Sequence, residues 1–219
     1  MRSPTQKLLK KDTFGEVSRL ERDGEIVIRR DIRPAAVWVR WLARRLMYRE
    51  ARALAALEGV SGVPQLIDVN RMTLERTFVD GQPMQQGKPT DPRYFKQAAK
   101  LLRKLHRCGV VHNDLAKEPN ILLTADSGVA FIDFQLAGHV NSRTRLFRAL
   151  AREDIRHLLK HKRTYCADAL TTREKAILSQ PGLLSRLWMQ TVKPVYLFIT
   201  RRLLGWSDRE GAGDRGSVR

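Results

Sequence analysis

Short segments with apolar residues, separated by turn residues at 12–15 and at Asp23-Gly24, make up residues 8–30. They predict three short strands, LLKKD, GEVSRLER and EIVIRR. After Pro34 the apolar spacing becomes helical and continues from Ala35 to Leu57, and two further strands are predicted at 65–69 and 72–77. The helix presents one apolar stripe that contains a single acid, Glu50. Residues 1–80 are therefore predicted to form a small antiparallel sheet with one long helix.

Beyond residue 80 a polar segment, QPMQQGKPTDP, marks a boundary. A helix is predicted from Asp91-Pro92 to Cys108, and another near Arg148–Lys162. Residues 183–206 form an amphipathic stretch, typical of helices that close a core or of an interfacial anchor. Residues 81–206 are thus predicted to be mainly helical, and residues 207–219 to be a disordered tail.

Two short polar loops lie within residues 110–137, VVHNDLAKEPNILLTADSGVAFIDFQLA. The first carries Asp114 and Asn120, the second carries Asp133, and a β-hairpin of ILL and VAFI fits between them. Phosphoryl transfer needs one carboxylate beside the acceptor hydroxyl, and a second carboxylate with an amide oxygen to hold Mg²⁺. This layout predicts two carboxylates and an amide directed at a magnesium–nucleotide.

The same residues resemble the motifs of protein-kinase-like phosphotransferases. Their H-R-D-x-x-x-x-N corresponds to His112-Asn113-Asp114 with Asn120, and their D-F-G to Asp133-Phe134-Gln135. The interval from Asp114 to Asn120 is one residue longer than the family pattern, and no A-P-E follows. With these departures the chain resembles the RIO, Kdo-kinase and lipopolysaccharide-kinase groups more than ordinary regulated protein kinases. The resemblance implies an α+β, two-lobed kinase-like fold without a full activation segment.

The resemblance also implies roles for residues of the second lobe. Asp114 is expected to accept or orient the acceptor proton, and Asn120 with Asp133 to bind Mg²⁺ beside ATP. Lys117 is placed to reach the transferring phosphoryl group, although an exposed lysine in a polar loop fits equally well. Asp154 matches the aspartate that anchors the catalytic-loop backbone, with a solvated surface aspartate as the alternative. Asn113 replaces an arginine that receives activation-loop phosphate in many regulated kinases.

In the first lobe, Phe14 and Gly15 resemble the end of a phosphate-covering loop. The third strand lacks the lysine that holds the α- and β-phosphates, so Arg29 is the first candidate for that role and Arg30 the second. Glu50 is expected to pair with Arg29, or else with an arginine of its own helix such as Arg45 or Arg52. For Arg29 itself, an exposed basic edge is the alternative to phosphate binding.

The hinge between the lobes is expected at Thr77, Phe78 and Val79, whose backbone would bind adenine.

Composition and charge restrict the expected location of the protein and its partners. The chain has 42% hydrophobic and 29% charged residues, no apolar run of about 20 residues and no secretory signal. Two cysteines set no disulfide or zinc pattern, so we expect a cytoplasmic protein. The net charge of +18 predicts a polyanionic partner. The candidates are the phosphates of ATP, an acidic inner-membrane surface contacted peripherally, a phosphorylated glycan and nucleic acid. Nucleic acid is disfavoured because no known nucleic-acid-binding motif accompanies the charge.

Three functions remain open at this level. The first is transfer of the γ-phosphate of ATP to a serine or threonine hydroxyl of a protein. The second is phosphorylation of a lipopolysaccharide core sugar at the cytoplasmic membrane face, favoured by the basic faces of the chain. The third is a pseudokinase that binds a partner without transfer, favoured by the missing lysine and sparse glycines.

Overall fold

The computed structural model describes residues 5–22, 24–126 and 128–180. By its internal contacts the chain divides into one unit of residues 1–179 and a second of residues 180–219. The amphipathic stretch at 183–206 and the tail at 207–219 lie outside the described residues, as does most of the second unit. Within the described part of the chain, none of the helices combines the length and apolar character needed to cross a membrane.

A five-stranded antiparallel sheet forms the first lobe. Its strands are β1 (Thr5–Asp12), β2 (Gly15–Arg22), β3 (Glu25–Asp31), β4 (Leu66–Val69) and β5 (Thr73–Thr77), in the spatial order β1-β2-β3-β5-β4. The register places Ser18 and Glu75 on either side of Arg29, and Val17 and Leu74 on either side of Arg30. Because side chains alternate along a strand, Arg29 and Arg30 project from opposite faces of the sheet.

Helix α1 (Arg40–Ala56) packs on the sheet face that carries Leu74. It begins after a 3₁₀ turn, Val37–Val39, and so starts later than the predicted Ala35. The reason is that the backbone N–H of Ala36 donates to the carbonyl of Thr13, which holds this segment against the β1–β2 hairpin. The cluster between helix and sheet consists of Ile32, Ala35, Ala43, Met47, Ala51 and Leu74.

The second lobe is mainly helical, with short strands that carry its loops. Its helices are α2 (Met84–Gly87), α3 (Pro92–Arg107), α4 (Arg145–Tyr165) and α5 (Thr172–Ser179). Two small sheets contain β6 (Gln82–Pro83), β7 (Val110–Val111), β8 (Ile121–Leu123), β9 (Val129–Phe131) and β10 (Gly138–His139). The predicted hairpin of ILL with VAFI is confirmed, since β8 pairs antiparallel with β9.

One hydrophobic core joins the two lobes. Leu54 and Leu57, at the end of α1, pack in the same cluster as Leu102 of α3 and as Phe131 and Phe134, which flank the second polar loop. All five side chains are at most 1% exposed. The first-lobe helix is therefore anchored in the core that supports the two loops.

Candidate active site

Asp154 of α4 holds the first loop in place. Its side chain is 1% exposed, and its two carboxylate oxygens accept the backbone N–H groups of His112 at 2.8 Å and Asn113 at 2.9 Å. Asn113 has a φ of 62°, a conformation that asparagine tolerates better than most residues. The expectation that Asp154 anchors the catalytic-loop backbone is confirmed, and the surface alternative is wrong.

Asp114 lies at the end of this loop with two polar neighbours. Asn120 Nδ2 donates to Asp114 Oδ2 at 2.9 Å and to the Asp114 carbonyl at 3.0 Å, and Lys117 Nζ lies 3.0 Å from Oδ2. The Asp114 side chain is 11% exposed, whereas that of Lys117 is 62% exposed. The loop therefore brings together the three residues predicted to act there, and it holds the carboxylate in one orientation.

Asp133 occupies a backbone conformation that aspartate rarely adopts, with φ 64° and ψ 70°. Its Oδ1 is buried and has no hydrogen-bond partner among the described residues. A buried carboxylate oxygen without a partner is costly, and a strained backbone at such a position is typical of functional sites.

His112 braces the two loops against each other. Its ring is completely buried, its Nε2 lies 3.0 Å from the Ile132 carbonyl, and its ring centroid is 4.6 Å from that of Phe134. Burial lowers the pKa of His112, so the imidazole is neutral near pH 7. These contacts support a structural role for His112 as a strut between the Asp114 and Asp133 loops.

The donor set suits a hard divalent cation. Asp133 offers an unpartnered carboxylate oxygen, and Asn120 directs its amide nitrogen to Asp114, which leaves its carbonyl oxygen as an acceptor. Magnesium prefers such oxygen ligands and commonly takes only one or two from the protein, the rest coming from water and phosphate. The residues present therefore fit the ion that a kinase-like site implies.

Glu50 is paired with Arg30, and the expected pair with Arg29 is wrong. Glu50 is fully buried, with Oε2 at 3.2 Å from Arg30 Nε and Oε1 at 3.1 Å from Arg76 Nε. Arg29 instead donates from Nε to Glu75 at 2.7 Å on the opposite face of the sheet. The β3 face that meets α1 is the one shared with Leu74, and the register gives that face to Arg30.

The β1–β2 hairpin is tight and turns toward α1. Gly15 has a φ of 126°, and a Cβ atom there would lie 2.2 Å from the Asp31 carbonyl oxygen, so a side chain is excluded. The Phe14 N–H donates to Asp12 Oδ1 at 2.8 Å, and the ring packs against the cluster between α1 and the sheet. Here the Phe14 ring is a core contact, and the phosphate-covering role of Phe14 and Gly15 stays a prediction.

Three hinge residues differ in what their backbone offers. The N–H groups of Thr77 and Phe78 donate to the carbonyls of Gln65 and Ile26. Val79 makes no hydrogen bond within the described part of the chain. Of the three candidates, Val79 therefore has the N–H best able to meet an adenine ring.

A family model described as the RIO domain matches residues 14–175. This chain belongs to the RIO domain family. RIO domains are ATP-dependent atypical protein kinases, so the chain is an atypical kinase. A search among curated proteins gives no match.

The fold of this RIO domain is similar to that of the Rio2 kinase from Chaetomium thermophilum. The two structures align with a TM-score of 0.61 at 17% sequence identity, over 94% of this chain and 74% of that chain. The predicted α+β, two-lobed kinase-like fold is thereby confirmed.

Sequence reasoning missed a second set of residues behind the loop of this RIO domain. Tyr165 donates its hydroxyl to Glu118 Oε2 at 2.6 Å, and His161 lies with Nε2 2.8 Å from the Leu115 carbonyl. Glu118 belongs to the lengthened interval between Asp114 and Asn120. The longer interval is visible in the sequence, but the partner of Glu118 on α4 is 47 residues away. Arg76 was missed as well, although alternation from Leu74 places it toward α1.

Proposed function

We propose that this RIO domain is a magnesium-dependent serine/threonine protein kinase. The observation that carries the proposal is the pairing of two carboxylates with different surroundings. Asp114 is oriented by Asn120 and Lys117, whereas Asp133 keeps a buried oxygen without a partner. A reaction that needs one carboxylate at the acceptor and another at the metal accounts for both.

Asp114 is the residue that receives or orients the hydroxyl proton of the acceptor. Its Oδ2 is held by Asn120 and Lys117, so the carboxylate does not need to reorganise when the acceptor arrives. Lys117, at 3.0 Å from Asp114, places a positive charge where negative charge on the phosphoryl group would otherwise repel the carboxylate.

Asn120 and Asp133 would hold Mg²⁺ through their side-chain oxygens. When bound, the ion neutralises phosphate charge and helps to align the γ-phosphate. Asp133 Oδ1 supports this role because no other described group satisfies it.

Arg30 is the best candidate for the phosphate-binding cation, in place of Arg29. It lies on the face of β3 toward α1, and Glu50 fixes its guanidinium at 3.2 Å. An arginine so held is preorganised to donate to phosphate oxygens. Phe14 and Gly15 would close over the phosphates only after the Phe14 ring leaves its cluster, and Val79 would contact adenine.

A serine or threonine hydroxyl is the proposed acceptor because the family consists of protein kinases and because the Asp114 loop retains the residues of an alcohol-phosphorylating site. Labelled ATP with a cell extract, followed by phosphoamino-acid analysis, tests this assignment. Core oligosaccharide serves as the second acceptor. Label on oligosaccharide but not on protein would replace the proposal with a sugar kinase.

Two variants test the chemistry itself. Asp114→Asn and Asp133→Asn should each lower transfer by several orders of magnitude, because each removes a group used in transfer. Asp168→Asn, an exposed aspartate after α4, is the matched control and should leave transfer unchanged. Absence of magnesium-dependent transfer in the parent protein would instead indicate a pseudokinase.

A further inference from the structure

A basic cleft lies between α1 and the segment that follows the Asp133 loop. It has a volume of about 490 Å³ and is lined by the side chains of Arg45, Tyr48, Arg49, Arg52 and His139, with backbone from residues 137 and 138. No carboxylate is among these lining residues. The cleft is separate from the residues assigned to phosphoryl transfer.

Helical spacing brings the three arginines together. Arg45, Arg49 and Arg52 follow at intervals of four and three residues, which places them on one side of α1. Arg45 and Arg52 are exposed and make no ion pair with any residue from 5–22, 24–126 or 128–180. Like charges at this spacing repel each other, so the helix carries an electrostatic cost that an anion would relieve.

Arg49 ties the cleft to both functional loops. Its Nη2 donates to the Leu136 carbonyl at 2.9 Å and its Nε to the Ala137 carbonyl at 3.3 Å. Asn113 Nδ2 donates to the same Leu136 carbonyl at 3.0 Å. Burial, together with the charge of Arg45, lowers the pKa of Arg49. The position that Asn113 leaves without a cation is therefore served by guanidinium groups from α1.

We propose that this cleft binds the phosphate group of a phosphorylated protein segment. Guanidinium groups donate two parallel hydrogen bonds to phosphate, and the Tyr48 hydroxyl and His139 ring can supply further donors. Arg45 and Arg52 bind the ligand, while Arg49 stays on the loop carbonyls. A bound phosphate stabilises α1, and with it Glu50, against the loop after Asp133.

A protein ligand suits the cleft better than a nucleic acid. The cations converge on one concave space, whereas a nucleic-acid strand needs a track of positive charge along several phosphates. The choice of a protein ligand rests on the proposed function, in which the acceptor is a protein.

Binding is measured without ATP, so the result does not depend on the proposed transfer reaction. The probe is a fluorescein-labelled alanine–glycine peptide with one phosphothreonine, compared by anisotropy with the same peptide carrying threonine. The phosphopeptide should bind the parent protein about tenfold or more tightly, and Arg45→Gln with Arg52→Gln should remove that preference. Arg103→Gln with Arg107→Gln, two exposed arginines on α3, removes the same charge elsewhere and should retain it.

Four results would overturn the proposal. The first is equal binding of the two peptides by the parent protein. The second is an unchanged preference in the Arg45→Gln, Arg52→Gln variant while its unfolding transition is normal. The third is displacement of the labelled phosphopeptide by single-stranded DNA at lower concentrations than by unlabelled phosphopeptide, if the Arg45→Gln, Arg52→Gln variant also loses DNA binding. Competition by millimolar inorganic phosphate alone, with no peptide preference, would indicate a free-anion site and would also overturn it.

Discussion

Neighbouring arginines on β3 allow a direct test of which cation serves ATP. Arg30 contacts buried Glu50 beneath the sheet, and Arg29 contacts Glu75 on the other face. We expect Arg30→Gln to weaken ATP binding about 10- to 100-fold. Arg29→Gln should change ATP binding by no more than about threefold, as a substitution outside the site does.

The magnitude follows from the contacts. Glutamine cannot supply a charge-assisted hydrogen bond to phosphate, and such a bond contributes about 1.5–3 kcal/mol. Glu50 also loses one of its two cationic partners, while Arg76 remains at 3.1 Å. Breaking a buried ion pair completely costs about 3–5 kcal/mol, so with one partner kept we expect a loss of about 2 kcal/mol in the free energy of unfolding.

The assay is titration with a fluorescent ATP analogue in the presence of Mg²⁺, beside urea unfolding of each variant. Arg76→Gln is the matched control, since it removes the other partner of Glu50 from β5 and should lower stability without an equal loss of ATP affinity. Arg30→Lys should retain most of the affinity, because lysine keeps the charge and is the residue that kinase-like proteins carry at this strand position.

Two outcomes would refute the reasoning. One is a larger loss of ATP affinity in Arg29→Gln than in Arg30→Gln. The other is an equal loss in Arg30→Gln and Arg76→Gln, which would show that the effect comes from the position of Glu50 and not from contact with phosphate.

Three further predictions concern α4. Asp154→Asn should lower the free energy of unfolding by about 3 kcal/mol in urea, because the one amide oxygen of asparagine can accept from only one of the two loop N–H groups, and the other then faces an amide donor; an unchanged midpoint would contradict the anchoring role. Tyr165→Phe should lower kcat about threefold to tenfold with KM for ATP unchanged, since it frees Glu118 without touching nucleotide; a change in KM alone would contradict it. Burial, with the charge of Lys160, lowers the pKa of His157 to about 4. The unfolded chain therefore takes up this proton first as the pH falls below about 6.5, and stability is lost between about pH 6.5 and 4. His157→Gln should reduce the stability difference between pH 7 and pH 5 by about 1–2 kcal/mol, and a variant as acid-sensitive as the parent would argue against this source.

Local patterns predicted most of the elements in this chain. All five strands of the first lobe were predicted from short segments bounded by turns. Asp91 was predicted to begin α3, where it accepts the N–H of Arg93 at 2.8 Å. The two loops with Asp114 and Asp133 were placed correctly beside the β8–β9 hairpin. These features depend on neighbours within a few residues, and such contacts can be read from spacing.

Contacts between residues far apart in the sequence could not be predicted from local patterns. Arg29 and Arg30 are adjacent and chemically identical, and only the register of β3 with β5 decides which one meets Glu50. Helix α1 begins at Arg40 and not at the predicted Ala35, because the Ala36 N–H donates a hydrogen bond to the Thr13 carbonyl in the β1–β2 hairpin, which is distant in the sequence. Tyr165 and Glu118 are likewise paired only because α4 packs behind the loop.

The sequence by itself indicated the reaction class, since Asp114, Asn120 and Asp133 follow in the order of the kinase-like motifs and residues 14–175 match the RIO domain. It also determined that Arg29 and Arg30, as neighbours on one strand, project from opposite faces of β3. Only the tertiary structure decided which arginine of β3 meets Glu50 and that Arg49 of α1 donates to the carbonyl groups after Asp133. The physical reason is that side-chain chemistry is carried by each residue alone, whereas an ion pair needs two groups brought together by packing.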